Sequence, residues 1–340
     1  RSLNDIVSCV LTKQSLQEEP AKEPVTLAAR SNTATIQNTT QPHVIRFFQR
    51  IFRYCHSAAH LNKALFTLEG RLTPAEIDCL NVRHNNGQLL PKEAAAKLQT
   101  VLTLWFQLIN RMMLSSGKSA PEAFISHKIS RAVRYFVGPG SSTNKTLLIC
   151  FSTRSGNRLT ISNGVLLQHT DSSRHDLLII SEPLGKNYNE GVPGLGKNLI
   201  AVIEWLSKQE FISNYHQIRT LGCSAGGYAA LVAAHLLWAD MAVSVGGRFP
   251  SRHKHPLIYL NMIFTIWRVM RKGHCPHVLV SYSKDKSRDR KFAKIMARLS
   301  SCTPDIVKIG DEKIGHNVLL RLVEHGELAQ YFARSILSET

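Results

Sequence analysis

Ser224 sits in Gly222-Cys223-Ser224-Ala225-Gly226-Gly227, a G-x-S-x-G pattern between an apolar run at 217–223 and an alanine-rich run at 228–234. A serine hydroxyl becomes a nucleophile when a base removes its proton and nearby donors receive the negative oxygen that its attack creates. A tight strand-to-helix turn serves both needs. It lifts the hydroxyl clear of the sheet and aims the helix's free N–H groups at the new charge, and glycine two positions either side removes side chains that would strike the turn.

Downstream, the apolar run 277–283 leads into Lys284-Asp285, which places Asp285 at the carboxyl end of a strand as the expected acid. Asp289 reads as a helix-start residue and Asp311 as a reserve acid. The run 305–309 leads through a polar loop to Gly315-His316-Asn317. His316 is the expected general base, since of fifteen histidines it alone follows a glycine in the loop after the final strand.

The elements that must position these groups follow from periodicity. Apolar runs at 146–152, 176–181, 217–223, 241–245, 277–283 and 305–309 alternate with helical patterns near 197–207, 226–238 and 287–297. Runs apolar on both faces, separated by helices, specify a parallel sheet covered on both sides. The C-terminal part is therefore α/β, a doubly wound and mostly parallel sheet.

Upstream, residues 1–42 show no sustained period and read as a leader. Residues 44–68 carry Val44, Phe47, Phe48, Ile51, Phe52 and Cys55 at helical spacing. The pattern G-x-L-x-P-x-E recurs at Gly70 and Gly87, each copy a helix start, with Thr73 and Glu76 at capping-box spacing. A long helix is predicted over 91–114, and Ser119-Ala120-Pro121-Glu122 predicts a further helix start. These copies lack the aromatic and alanine positions of a tetratricopeptide array and read as a plain helical bundle. Gly138-Pro139-Gly140-Ser141-Ser142 breaks the pattern, giving a helical domain at 43–140 and a sheet domain at 145–340.

Residues 145–338 resemble the α/β-hydrolase superfamily, on the turn at Ser224 and on the chain order Ser224, Asp285, His316. The resemblance implies the α/β-hydrolase fold, preceded here by a helical N-terminal region, and a serine hydrolase, most simply a carboxylic ester hydrolase. It also implies an oxyanion hole made by Ala225 and a donor in the loop after the strand at 146–152. Many members carry a His-Gly pair there. This chain has Phe151-Ser152-Thr153-Arg154-Ser155-Gly156, which leaves Thr153 and Arg154 both open.

The remaining features bound the partners. Forty-two Lys and Arg against 24 Asp and Glu give a net charge of +18, spread over both halves. That balance favours anionic partners, an anionic or lipid-like acyl substrate among them. Nucleic acid is disfavoured, because the chain has no recognisable reading motif. A binding module working through the helical N-terminal part is the rival to an enzyme, and acyl transfer is the rival to hydrolysis. Seven cysteines without CxxC or CxxH spacing indicate neither a disulfide framework nor a zinc site, so a reducing, cytoplasmic setting and no cofactor are expected. The apolar stretch 257–267, with Arg248, Arg252, Lys254, Arg268, Arg271 and Lys272 around it, is too short to span a bilayer and reads as an interfacial lid or a buried helix. The glycine-rich run 191–196 reads as a shaped rim loop.

Overall fold

The computed structural model describes residues 36–90, 96–153, 158–185, 188–249, 276–283, 286–299, 305–309 and 316–337, together with 260, 263–264, 267–269, 271 and 274. Its centre is an eight-stranded sheet: β1 (Ile125–Lys128), β2 (Val133–Val137), β3 (Thr146–Phe151), β4 (His175–Ile180), β5 (Gln217–Cys223), β6 (Met241–Val245), β7 (His277–Ser283) and β8 (Asp305–Ile309). The strand order is β1-β2-β4-β3-β5-β6-β7-β8. β2 runs antiparallel to both β1 and β4, and all pairings from β4 through β8 are parallel.

The period of two sorts the strand residues onto two faces. Leu148 and Cys150 of β3 pack into one core, while Leu147, Ile149 and Phe151 pack into the other. The second face is covered by α6 (Leu199–Ser207), α7 (Ala225–Leu236) and α8 (Ser287–Leu299). On the first lie α5 (Asn163–Gln168), α9 (Val318–Glu324), α10 (Leu328–Ser335) and, among the described residues, the N-terminal helices α1 (Ile36–Tyr54), α2 (Ala58–Glu69), α3 (Pro74–Asn85) and α4 (Ala96–Leu114).

Several N-terminal expectations change. The run at 44–68 is two helices, because Ser57 caps α2 by accepting from the His60 N–H. Helix α1 begins at Ile36, inside the expected leader, whose first 35 residues lie outside the described ones, as do residues 91–95 at the expected start of the long helix. The capping box at Thr73 and Glu76 is present. The start expected at Ser119-Pro121-Glu122 opens no helix. The chain instead enters β1 and β2, where Val133, Tyr135 and Phe136 supply the β-branched and aromatic residues that suit a half-buried strand.

The boundary expected at 138–144 falls between two strands of one sheet, and the helices before it share a core with that sheet. Polar contacts tie the same seam. The Asn163 side chain donates to the Gly70 carbonyl at 2.8 Å, and Lys118 Nζ donates to the Thr170 carbonyl at 2.9 Å. The helical region and the sheet therefore pack as one body across this face.

Candidate active site

Strand β5 ends at Cys223 and α7 begins at Ala225, so the whole reversal is made at Ser224, with φ 54° and ψ −115°. A non-glycine residue in that region costs about 1–3 kcal/mol and persists only where its surroundings hold it. Here the Ser224 N–H donates to the Val245 carbonyl at 3.1 Å, and the Ser224 carbonyl accepts from the N–H groups of Gly227 and Arg248. The flanking glycines are obligatory. A Cβ on Gly222 would lie 2.0 Å from the Gly226 carbonyl oxygen, and one on Gly226 would lie 2.1 Å from that of Phe151.

His316 stands in the loop before α9 and reaches Ser224 from the end of β8. Its Nε2 is 2.7 Å from Ser224 Oγ, and its Nδ1 is 2.9 Å from Asp289 Oδ2. An ionised carboxylate only accepts hydrogen bonds, so Nδ1–H donates to Asp289 and leaves Nε2 free to accept the serine hydroxyl.

Asp289 is the carboxylate the structure brings to His316. Sequence reasoning had placed the acid at Asp285 and assigned Asp289 to a helix start. Asp285 and the reserve Asp311 both lie outside the described residues. Asp289 does open α8, from its first turn, but it also falls on the same stripe as Phe292, Ala293 and Met296 and is fully buried with them. A carboxylate on the apolar face of an amphipathic helix was the available signal. Two donors hold the carboxylate in place: the His316 N–H at Oδ2 and Arg248, whose Nε donates to Oδ1 at 3.4 Å.

Gly246 and Gly247 were also missed. Gly246 has φ +55°, and a Cβ there would lie 3.2 Å from the His316 carbonyl oxygen, 3.5 Å from its Nδ1 and 3.6 Å from Asp289 Oδ2. Gly247 faces Phe292, whose ring a Cβ would meet at 2.4 Å. Gly246 lets the segment after β6 pass close to the imidazole and carboxylate, and Gly247 leaves room for the Phe292 ring.

Of the three expected oxyanion donors, Ala225 keeps a first-turn N–H of α7, one of the groups for which a helix supplies no acceptor. Thr153 does not keep its own: that N–H donates to the Arg158 carbonyl at 3.1 Å. Its reassignment follows from the turn that closes the loop after β3. Arg154 lies outside the described residues.

The run at 191–196 is a compact turn, with Val192 bridged to Gly196 and Gly191 at φ +68°. Tyr188, buried at its entrance, donates its hydroxyl toward the carbonyls of Ser152 and Ile180, pinning the turn to the ends of β3 and β4. Cys223, beside the nucleophile, is fully buried, and desolvation holds its thiol far above the usual range. It is no rival nucleophile. Among the described residues no group of three His, Cys, Asp or Glu side chains is placed to hold a metal ion.

The antiparallel second strand, the parallel run that follows and the left-handed Ser224 turn together settle the architecture. The fold is that of the α/β-hydrolases. No family model and no curated protein matches the chain. Among solved structures it is similar to a dienelactone hydrolase from Anabaena variabilis, with 14% identity, 63% of this chain and 97% of that one covered, and a TM-score of 0.42. It is also similar to EstE1, a thermostable carboxylesterase from a metagenomic library, at 13%, 70%, 98% and 0.41. The fluorophosphonate-binding serine hydrolase F of Staphylococcus aureus stands at 13%, 61%, 99% and 0.41. Among the described residues no helix is long and apolar enough to cross a membrane.

Proposed function

We propose that this α/β-hydrolase-fold protein is a serine hydrolase that cleaves a carboxylic ester, thioester or amide through an acyl-serine intermediate. One observation carries the reading: the relay from Ser224 Oγ through His316 to Asp289, with spacings of 2.7 and 2.9 Å.

His316 Nε2 accepts the Ser224 proton as Oγ bonds to the carbonyl carbon, and the carbonyl electron pair moves onto oxygen. Asp289 fixes the tautomer and stabilises the imidazolium. The Ala225 N–H faces the developing oxyanion, a donor worth about 3–4 kcal/mol in such sites. Collapse of the tetrahedral species expels the alcohol, thiol or amine, which takes its proton from His316. Water then repeats the attack with His316 as base, releasing the acid and restoring the serine hydroxyl. An acceptor other than water would turn the same intermediate to acyl transfer.

A panel of acyl esters of increasing chain length, assayed with the parent and with Ser224→Ala, tests the reading. The parent should hydrolyse at least one member, and Ser224→Ala should lose roughly a thousandfold or more in kcat. Turnover that survives the substitution overturns the mechanism.

A further inference from the structure

We propose that the outer face formed by α8 and the helical residues of the segment 260–271 docks on the surface of an anionic phospholipid bilayer. This inference stands apart from the hydrolytic reading, because none of its residues takes part in the relay.

Helix α8 is divided into two faces. Asp289, Phe292, Ala293 and Met296 are buried, while Arg288, Arg290, Lys291, Lys294 and Arg298 are exposed. Every ionisable residue that α8 exposes is cationic. A row of like charges on one helix repels itself, and no exposed acid on α8 relieves that repulsion. A negatively charged surface would.

The segment between β6 and β7 supplies the apolar part. Ile263 and Val269 pack on the same core as Phe292. Leu260 and Phe264 instead stand exposed, at 60% and 57%. Phe264 and Trp267 lie 5.5 Å apart between ring centroids, and the Arg271 guanidinium covers the Trp267 ring at 5.3 Å. Arg268 and Arg271 are exposed too. Because Ile263, Val269 and Phe292 share that core, this segment and α8 lie on the same face of the sheet.

Apolar side chains ringed by arginine and lysine match the two layers of a bilayer surface, acyl boundary and anionic headgroup. A nucleic acid would satisfy the cations but gains nothing from an exposed leucine. The bilayer takes both.

The test is co-sedimentation of the full chain with phosphatidylcholine vesicles, with vesicles containing phosphatidylserine, and with duplex DNA as competitor. The protein should pellet with the phosphatidylserine vesicles and stay in solution with phosphatidylcholine alone. Lys291→Glu/Lys294→Glu/Arg298→Glu should weaken binding about tenfold or more. Leu260→Ser/Phe264→Ser should weaken it several-fold. Ser224→Ala should bind as the parent does, which separates this result from the fate of the hydrolytic reading. The milder pair Lys291→Gln/Lys294→Gln covers the event that charge reversal prevents folding, and melting curves check each variant. Binding indifferent to vesicle charge, or unchanged in Leu260→Ser/Phe264→Ser, overturns the proposal. In the latter case, full displacement by DNA reassigns the face to nucleic acid.

Discussion

Asp289 meets His316 at 2.9 Å from the first turn of α8, on the stripe of that helix that Phe292, Ala293 and Met296 also occupy. The carboxylate is thus held by the packing of a whole helix. Asp289→Asn should preserve the fold but disturb the His316 tautomer, lowering kcat by about three to four orders of magnitude. Asp285→Asn should stay within a few-fold of the parent. Steady-state kinetics of the two variants assign the acid, and the opposite ranking would return the role to Asp285.

Gly246 tests how closely the segment after β6 must approach the site. Its φ of +55° strains any other residue, and a Cβ would press on the His316 carbonyl at 3.2 Å. Gly246→Ala should cost about 1–3 kcal/mol of stability and reduce kcat more than it changes KM, because the displaced group is the base. Urea unfolding alongside kinetics reads both. Gly194, at φ +82° with open space around it, is the control: Gly194→Ala should lower stability and leave kcat unchanged.

Residues 36–144 are predicted to be inseparable from the rest. They contribute β1, β2 and helices that cover much of one face of the sheet, and Arg158, in the segment after β3, pairs with Glu69 and stacks over Phe66. A fragment beginning at residue 145 should be insoluble or bind hydrophobic dye strongly, since it bares that apolar face. Arg158→Ala in the full chain should cost roughly 2–4 kcal/mol, because it leaves the mostly buried Glu69 carboxylate with the Trp105 Nε1–H donor but no paired cation. A soluble fragment with a cooperative melt would restore the two-domain division.

Stability should fall on mild acidification. Burial, reinforced by nearby Arg219, lowers His175 from 6.5 to about 4, against the opposing pull of the Asp171 carbonyl 3.2 Å from Nδ1. Between those two values the unfolded chain binds a proton that the folded chain refuses, so stability drops as pH falls through this window, by roughly 2–3 kcal/mol. Burial also lowers His127, His169 and His235, which adds to the same slope. His175→Gln should flatten the dependence without abolishing it, as read from urea midpoints at pH 7 and pH 4.5.

The sheet was legible because its strands from β3 to β8 are short apolar runs punctuated by helices, and all six fall within a residue of their expected limits. Ser224 was legible because it follows a strand with glycine two positions either side, and His316 because it follows Gly315 in the loop after the final strand. Other features depended on tertiary packing. Val133-Arg134-Tyr135-Phe136-Val137 is a short strand held between β1 and β4, and Pro121 in front of it mimicked a helix start. Asp289 looked like an N-terminal helix residue, which it is, and only the direction of the α8 stripe gives it a partner. The fate of the Thr153 N–H depends on a turn whose closure no local pattern announces.

The central claim, that Ser224 is a nucleophile activated by His316, is tested most directly by intact-mass spectrometry after exposure to a fluorophosphonate. The parent should gain one adduct, mapped to Ser224, while Ser224→Ala gains none and His316→Ala reacts at least a hundredfold more slowly. An unreactive parent, or an adduct that persists in Ser224→Ala, would contradict it.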